Sequence, residues 1–145
     1  MSVDTMNEIR MAKTIQAGQQ AVWEAWTQPE QMKHWCCPDP NGEVSVESDF
    51  RVGGGYRIVM TVEGAQHIAY GTYREIDAPN RVVYTWDWDD PDMSMGETLV
   101  TVDFRANGEA TDVTLVHAGF PALEAKEQHQ QGWDACVARF EAMFG

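Results

Sequence analysis

From Glu43 to His117 the chain alternates apolar and polar residues in a period of two, and it changes to a helical period only afterwards. Val44, Val46, Ser48 and Phe50 alternate with Glu43, Ser45, Glu47 and Asp49, and beyond Gly53-Gly54-Gly55 the residues Tyr56, Ile58, Met60 and Val62 repeat the pattern. Such alternation puts one apolar set on one face of a strand. Residues 67–77 and 81–88 are also β-rich. Val82, Tyr84, Trp86 and Trp88 share a side of the second, whereas the pattern leaves the buried face of the first open. Thr98, Val100, Val102 and Phe104 form another inward set, with Leu99 off it, and Val113, Leu115 and His117 form the last. Turn residues at Glu63–Gln66, Asp77–Asn80 and Asn107-Gly108 separate these runs. Six successive strands so joined make an antiparallel meander.

Before the meander, residues 8–15 read as an opening strand, with Ile9, Met11, Lys13 and Ile15 on its better-buried side. A short helix over 19–27 gathers Ala21, Val22, Ala25 and Trp26, and Pro29 opens a second whose inner residues are Met32 and Trp35. Cys36 to Gly42 is loop. After the meander, Phe120-Pro121 marks a helix start, and the helix is expected to run to Phe144. Trp133, Val137, Phe140 and Phe144 lie in one stripe of it, while the turns before Trp133 are polar except for His129. A meander buries a full face only against another layer, so the long helix lies across it and the short helices plug one end. Where the helical stripe loosens, near His129, a cavity has room to open. The fold class is α+β, a helix-grip arrangement in which a curved antiparallel sheet of about seven strands packs on the C-terminal helix. Residues 1–145 are read as a single domain.

Several short patterns carry a resemblance: Val22-Trp23 with Ala25, Thr27 and Pro29-Glu30; Phe50 with Val52-Gly53-Gly54 and Tyr56; Gly71, Tyr73, Glu75-Ile76, Pro79 and Arg81. Thr85-Trp86, Glu97-Thr98 with Val100-Thr101-Val102 and Phe104, Gly108, Thr114-Leu115 with His117, and His129 with Gly132-Trp133 continue it in order. Together they resemble the heat-shock-protein-90 ATPase activator homologue family of the START-like, or SRPBCC, superfamily. The resemblance implies an elongated apolar cavity between sheet and long helix. It also implies a role as carrier, receptor or cavity enzyme, and a chaperone as a further expected partner.

A net charge of −13 opposes binding to nucleic acid, which depends on cationic contacts to phosphate, and disfavours anionic membrane surfaces. Membrane insertion is not expected, because no run approaches the roughly 18 apolar residues of a spanning helix. MSVDTMNEIR lacks the basic-then-apolar pattern of a secretion signal, so the expected location is cytoplasmic. Cys36, Cys37 and Cys136 are expected as reduced thiols. No cofactor is expected. No metal is expected either, since His34, Cys36 and Cys37 have no second ligand pair at zinc spacing. The acidic stretch Asp87, Asp89, Asp90 and Asp92 lacks the glycine and glutamate of a calcium loop and reads as a solvated hairpin. A homodimer through an exposed strand is an additional expectation.

The residues expected to line a cavity are Trp26, Trp35, Tyr56, Met60, Tyr84, Trp86, Phe120 and Trp133, with ordinary core packing as the competing reading. His117 and His129 are expected to point into the same interior from neighbouring elements and, with Tyr56, to orient the polar end of a ligand, with a pair of buried neutral histidines satisfied by backbone or water as the competing reading. The leading functional reading is a binding protein for a small apolar or amphipathic molecule. One alternative is a cyclase-, dehydratase- or isomerase-type enzyme with the histidines as proton carriers, and the other, from the family resemblance, is a stress-related partner-binding protein like the co-chaperones.

Overall fold

The structure is a computed structural model in which residues 8–145 are described, so the stretch 1–7 read above for a secretion signal lies outside them. Strand β1 (Glu8–Ile15) is followed by helices α1 (Gln19–Thr27) and α2 (Pro29–Met32). Six strands come next: β2 (Glu43–Ser48), β3 (Gly55–Val62), β4 (Ala65–Asp77), β5 (Arg81–Trp88), β6 (Thr98–Asn107) and β7 (Ala110–Ala118). Helix α3 (Leu123–Ala142) closes the chain. The strands form one antiparallel sheet in the order β1-β7-β6-β5-β4-β3-β2. β1 therefore ends up on the edge opposite β2, and α1 and α2 carry the chain between the two edges.

One face of this curved sheet is apolar and receives the helices. Trp133, Cys136, Val137 and Phe140 are the buried residues of α3. The Trp26 ring of α1 sits where the layers meet, 4.4 Å from Trp35, 5.1 Å from Phe140 and 6.2 Å from Trp133, nearly parallel to the last. Such aromatic pairs add to area burial at about 0.5–1.5 kcal/mol each. Among the described residues no helix is long and apolar enough to cross a membrane.

The strand pattern corresponds closely to the alternation in the sequence, and the departures have local causes. Ala21 is exposed and Trp23 is buried in its place, because Trp23 packs edge-on against Phe104 at 5.3 Å and widens the inner face of α1. The turn expected over Glu63–Gln66 contracts to Glu63-Gly64, both at positive φ, which suits a two-residue hairpin and returns Ala65 and Gln66 to the strand. β2 ends at Ser48, and Phe50 turns out of the strand to rest against Tyr73 and Trp23. Pro121 does not open the last helix. Gly119 takes a positive φ and Phe120 turns inward onto His117, 4.4 Å between ring centres, so the helical path begins only at Leu123. At the other end α3 stops at Ala142, and Phe144 still packs on Phe140 at 5.4 Å. Asp87 is not part of a solvated loop: it is buried at the end of β5 and accepts bonds from Ser94 Oγ and the Met95 amide, which pin the acidic hairpin to the sheet.

Candidate functional site

A pocket of about 280 Å³ lies between the apolar face of the sheet and the helices. Tyr56, Ile58 and Met60 of β3, His67 and Tyr73 of β4, and Tyr84, Trp86 and Trp88 of β5 supply its sheet wall. They do so because alternate residues of a strand share a face, and Met60 is the cross-strand neighbour of His67. Trp26 and Thr27 of α1, Met32, and Trp35 to Pro38 form one flank. Gln128, His129, Gly132, Trp133 and Cys136 of α3 form the other, at the turns where the helix loses its apolar stripe. Pro38, Met93 and Gln128 are exposed and rim the pocket. Among the described residues, neither lysine, arginine, aspartate nor glutamate stands in the lining.

Of the residues singled out in the sequence, Trp26, Trp35, Tyr56, Met60, Tyr84, Trp86, His129 and Trp133 meet at this pocket. His117 and Phe120 stand outside its lining, in the layer behind Trp86 and Trp133. Sequence reading passed over His67, Trp88 and the cysteines as wall residues. His67 lies in the one strand whose face the pattern left open. Cys36, Cys37 and Cys136 are free, buried thiols. Burial pushes the Cys136 thiol up to about 12 and raises that of Cys36, so both stay protonated at neutral pH.

The histidine pair is fixed by protein partners. Trp133 Nε1–H donates to His117 Nδ1 at 3.0 Å, which places the ring proton on Nε2, facing Thr98 Oγ1 at 2.7 Å. The Thr98 hydroxyl in turn donates to the Trp86 carbonyl. Burial, with a smaller contribution from nearby His129, lowers the His117 pKa to about 3. His129 Nε2 accepts from Trp88 Nε1 at 2.9 Å, and its Nδ1–H donates to the Ala125 carbonyl one turn back. Burial lowers its pKa too, against the opposing pull of that carbonyl. The two rings, 5.7 Å apart, are thus neutral at pH 7 and meet the protein with both nitrogens.

The remaining polar ends of the aromatic wall are tied in the same way. Tyr56 Oη donates to the Thr85 carbonyl at 2.5 Å, Tyr73 Oη bonds Ser48, Trp26 Nε1 donates to Tyr84 Oη and Trp35 Nε1 to the Ala25 carbonyl. Among the described residues two buried side-chain nitrogens have no partner, Trp86 Nε1 and His67 Nδ1, and both residues line the pocket. A buried donor left unpaired costs about 1–3 kcal/mol.

A curved antiparallel sheet holding a C-terminal helix across an apolar pocket defines the helix-grip, START-like class. The chain belongs to the family described as Activator of Hsp90 ATPase homolog 1-like protein, which it matches over residues 16–145. No curated protein matches it. Among solved structures it is similar to protein CV1439 of Chromobacterium violaceum, with a TM-score of 0.82 at 24% identity over 95% of this chain and 97% of that one. A protein of Arthrobacter aurescens aligns with a TM-score of 0.83 at 21% identity, over 97% of this chain and 87% of that one. The AHSA1 protein of Silicibacter pomeroyi gives 0.80 at 22% identity, over 94% and 96%. These likenesses establish the fold.

Proposed function

We propose that the protein binds a small, largely apolar molecule in the pocket between sheet and terminal helix. The observation that carries this reading is the pocket itself: about 280 Å³ lined by tryptophan, tyrosine and aliphatic side chains, with the polar ends of most of its aromatic residues already bonded to protein. Pockets for small molecules have this character, mostly apolar with a few polar groups. His129 contributes shape and neutral surface to the pocket while His117 stands behind it, and the alternative of acid–base chemistry would require each imidazole to give up a bond it now makes.

Gly132 supplies the test. It lines the pocket from α3, and a Cβ built on it meets nothing within 4 Å. Gly132→Leu adds a side chain where there is space and replaces glycine by a better helix former. Native mass spectrometry of freshly purified wild-type protein is expected to reveal a discrete adduct that is lost on denaturation and recovered in an organic extract. The Gly132→Leu protein should lack that adduct while melting no lower than wild type. An adduct retained undiminished in the filled variant would place it elsewhere on the molecule and overturn the reading.

A further inference from the structure

Trp86 is 8% exposed, lines the pocket, and has a ring nitrogen without a partner. An indole N–H only donates, so what it lacks is an acceptor. Among the described residues no acceptor lies within hydrogen-bond reach of it: Trp133 and Trp88 are themselves donors only, and Tyr56 Oη is turned toward the Thr85 carbonyl. A carbonyl oxygen on an otherwise apolar molecule requires only the one donor that Trp86 has free.

The charge of the occupant follows from the same wall. Among the described residues neither lysine nor arginine lines the pocket, and both ring nitrogens of His129 are held by protein. A carboxylate or phosphate would enter a largely apolar space with neither lysine nor arginine to balance it, which is strongly unfavourable. Flat aromatic faces from Trp26, Tyr84, Trp86 and Trp133 meet at the site and favour rings over a flexible chain. Resting on the pocket reading above, we propose that the occupant is a neutral, ring-bearing ketone whose carbonyl oxygen accepts a hydrogen bond from Trp86 Nε1–H.

Benzophenone and diphenylmethane test this, because they have nearly the same shape and only the former has a carbonyl. In titrations followed by NMR, wild-type protein is expected to bind benzophenone about five- to tenfold more tightly, the effect of one net hydrogen bond. The indole proton resonance of Trp86 should move downfield with benzophenone and not with diphenylmethane. Trp86→Phe removes the N–H, and in that variant the preference should fall to about one while diphenylmethane affinity is kept. The resonance shift is read in the wild-type protein and does not depend on the variant folding. Equal wild-type affinities with an unmoved Trp86 resonance would overturn the carbonyl inference and leave the pocket reading standing. If neither compound binds the wild-type protein, the pocket reading itself is overturned.

Discussion

Thr98 holds its neighbours together through one hydroxyl. It lies 2.7 Å from His117 Nε2 and donates its own proton to the Trp86 carbonyl, so it couples β6 to both neighbouring strands inside an apolar layer. Thr98→Val keeps the shape and removes the acceptor, leaving the His117 Nε2–H buried and unpaired. The expected cost is about 1–3 kcal/mol in urea unfolding, and Thr98→Ser, which retains the hydroxyl, should recover most of it. Equal losses in the two variants would assign the effect to packing instead of the hydrogen bond. At this scale the sequence was partly legible. Alternation with Val113 and Leu115 placed His117 inward, and helical spacing set His129 one turn before Trp133. The fate of their nitrogens was not legible, because the Thr98 and Trp133 partners stand 19 and 16 residues away from His117 on other elements, beyond any local period.

Among the elements, β4 is the one whose buried face the pattern left open, and the structure gives the reason. Its pairing with β5 shifts register between Tyr73 and Glu75, so the residues on either side of the bulge do not follow a single alternation. His67, on the near side, therefore escaped notice as a wall residue. Gly71 lies just before that shift, and a Cβ there would lie 2.0 Å from the Thr85 carbonyl oxygen. That carbonyl is also the acceptor for Tyr56 Oη, and Thr85 Oγ1 accepts from the Thr72 amide. Gly71→Ala should force β4 and β5 apart at this point and cost about 1–3 kcal/mol, or more if the backbone resists. Gly132→Ala in α3 should do the reverse. Its Cβ meets open space, and replacing a mid-helix glycine by alanine contributes about 1 kcal/mol. For a chain of this size each kcal/mol moves the melting temperature by roughly 2–4 °C, so the two alanines should be displaced in opposite directions in one thermal melt. The same element scale explains the last helix. Proline suited a helix start at residue 121, but the inward turn of Phe120 onto His117 delayed the helix to Leu123, a tertiary demand that local preference does not contain.

For the whole molecule, the succession of periods was enough to read a meander closed by a helix, whereas the volume between them was not readable. That volume depends on how far the rings of Trp26, Trp86 and Trp133 hold α3 off the sheet, and this is decided by three elements together. The global charge was plain from the composition, and it sets up a competition in acid that burial decides. A net charge of −13 means that protonating carboxylates relieves self-repulsion as acid is added. His117 acts with the opposite sign. Its pKa in the fold is lowered to about 3, below the ordinary 6.5, so as pH falls the unfolded chain takes up the proton first. Its contribution to stability is complete above about pH 6.5 and is lost as pH falls from there toward 3. Between pH 7 and pH 5 one such group removes about 2 kcal/mol. His129, also lowered by burial, adds in the same direction. Urea unfolding of wild type and His117→Gln at both pH values separates the histidine from the carboxylates, because both proteins carry the same acids. The wild type should lose about 2 kcal/mol more than the variant over this interval. Parallel losses in the two proteins would mean that His117 titrates alike in the folded and unfolded chain, and its burial between β6 and α3 would then not govern the acid response.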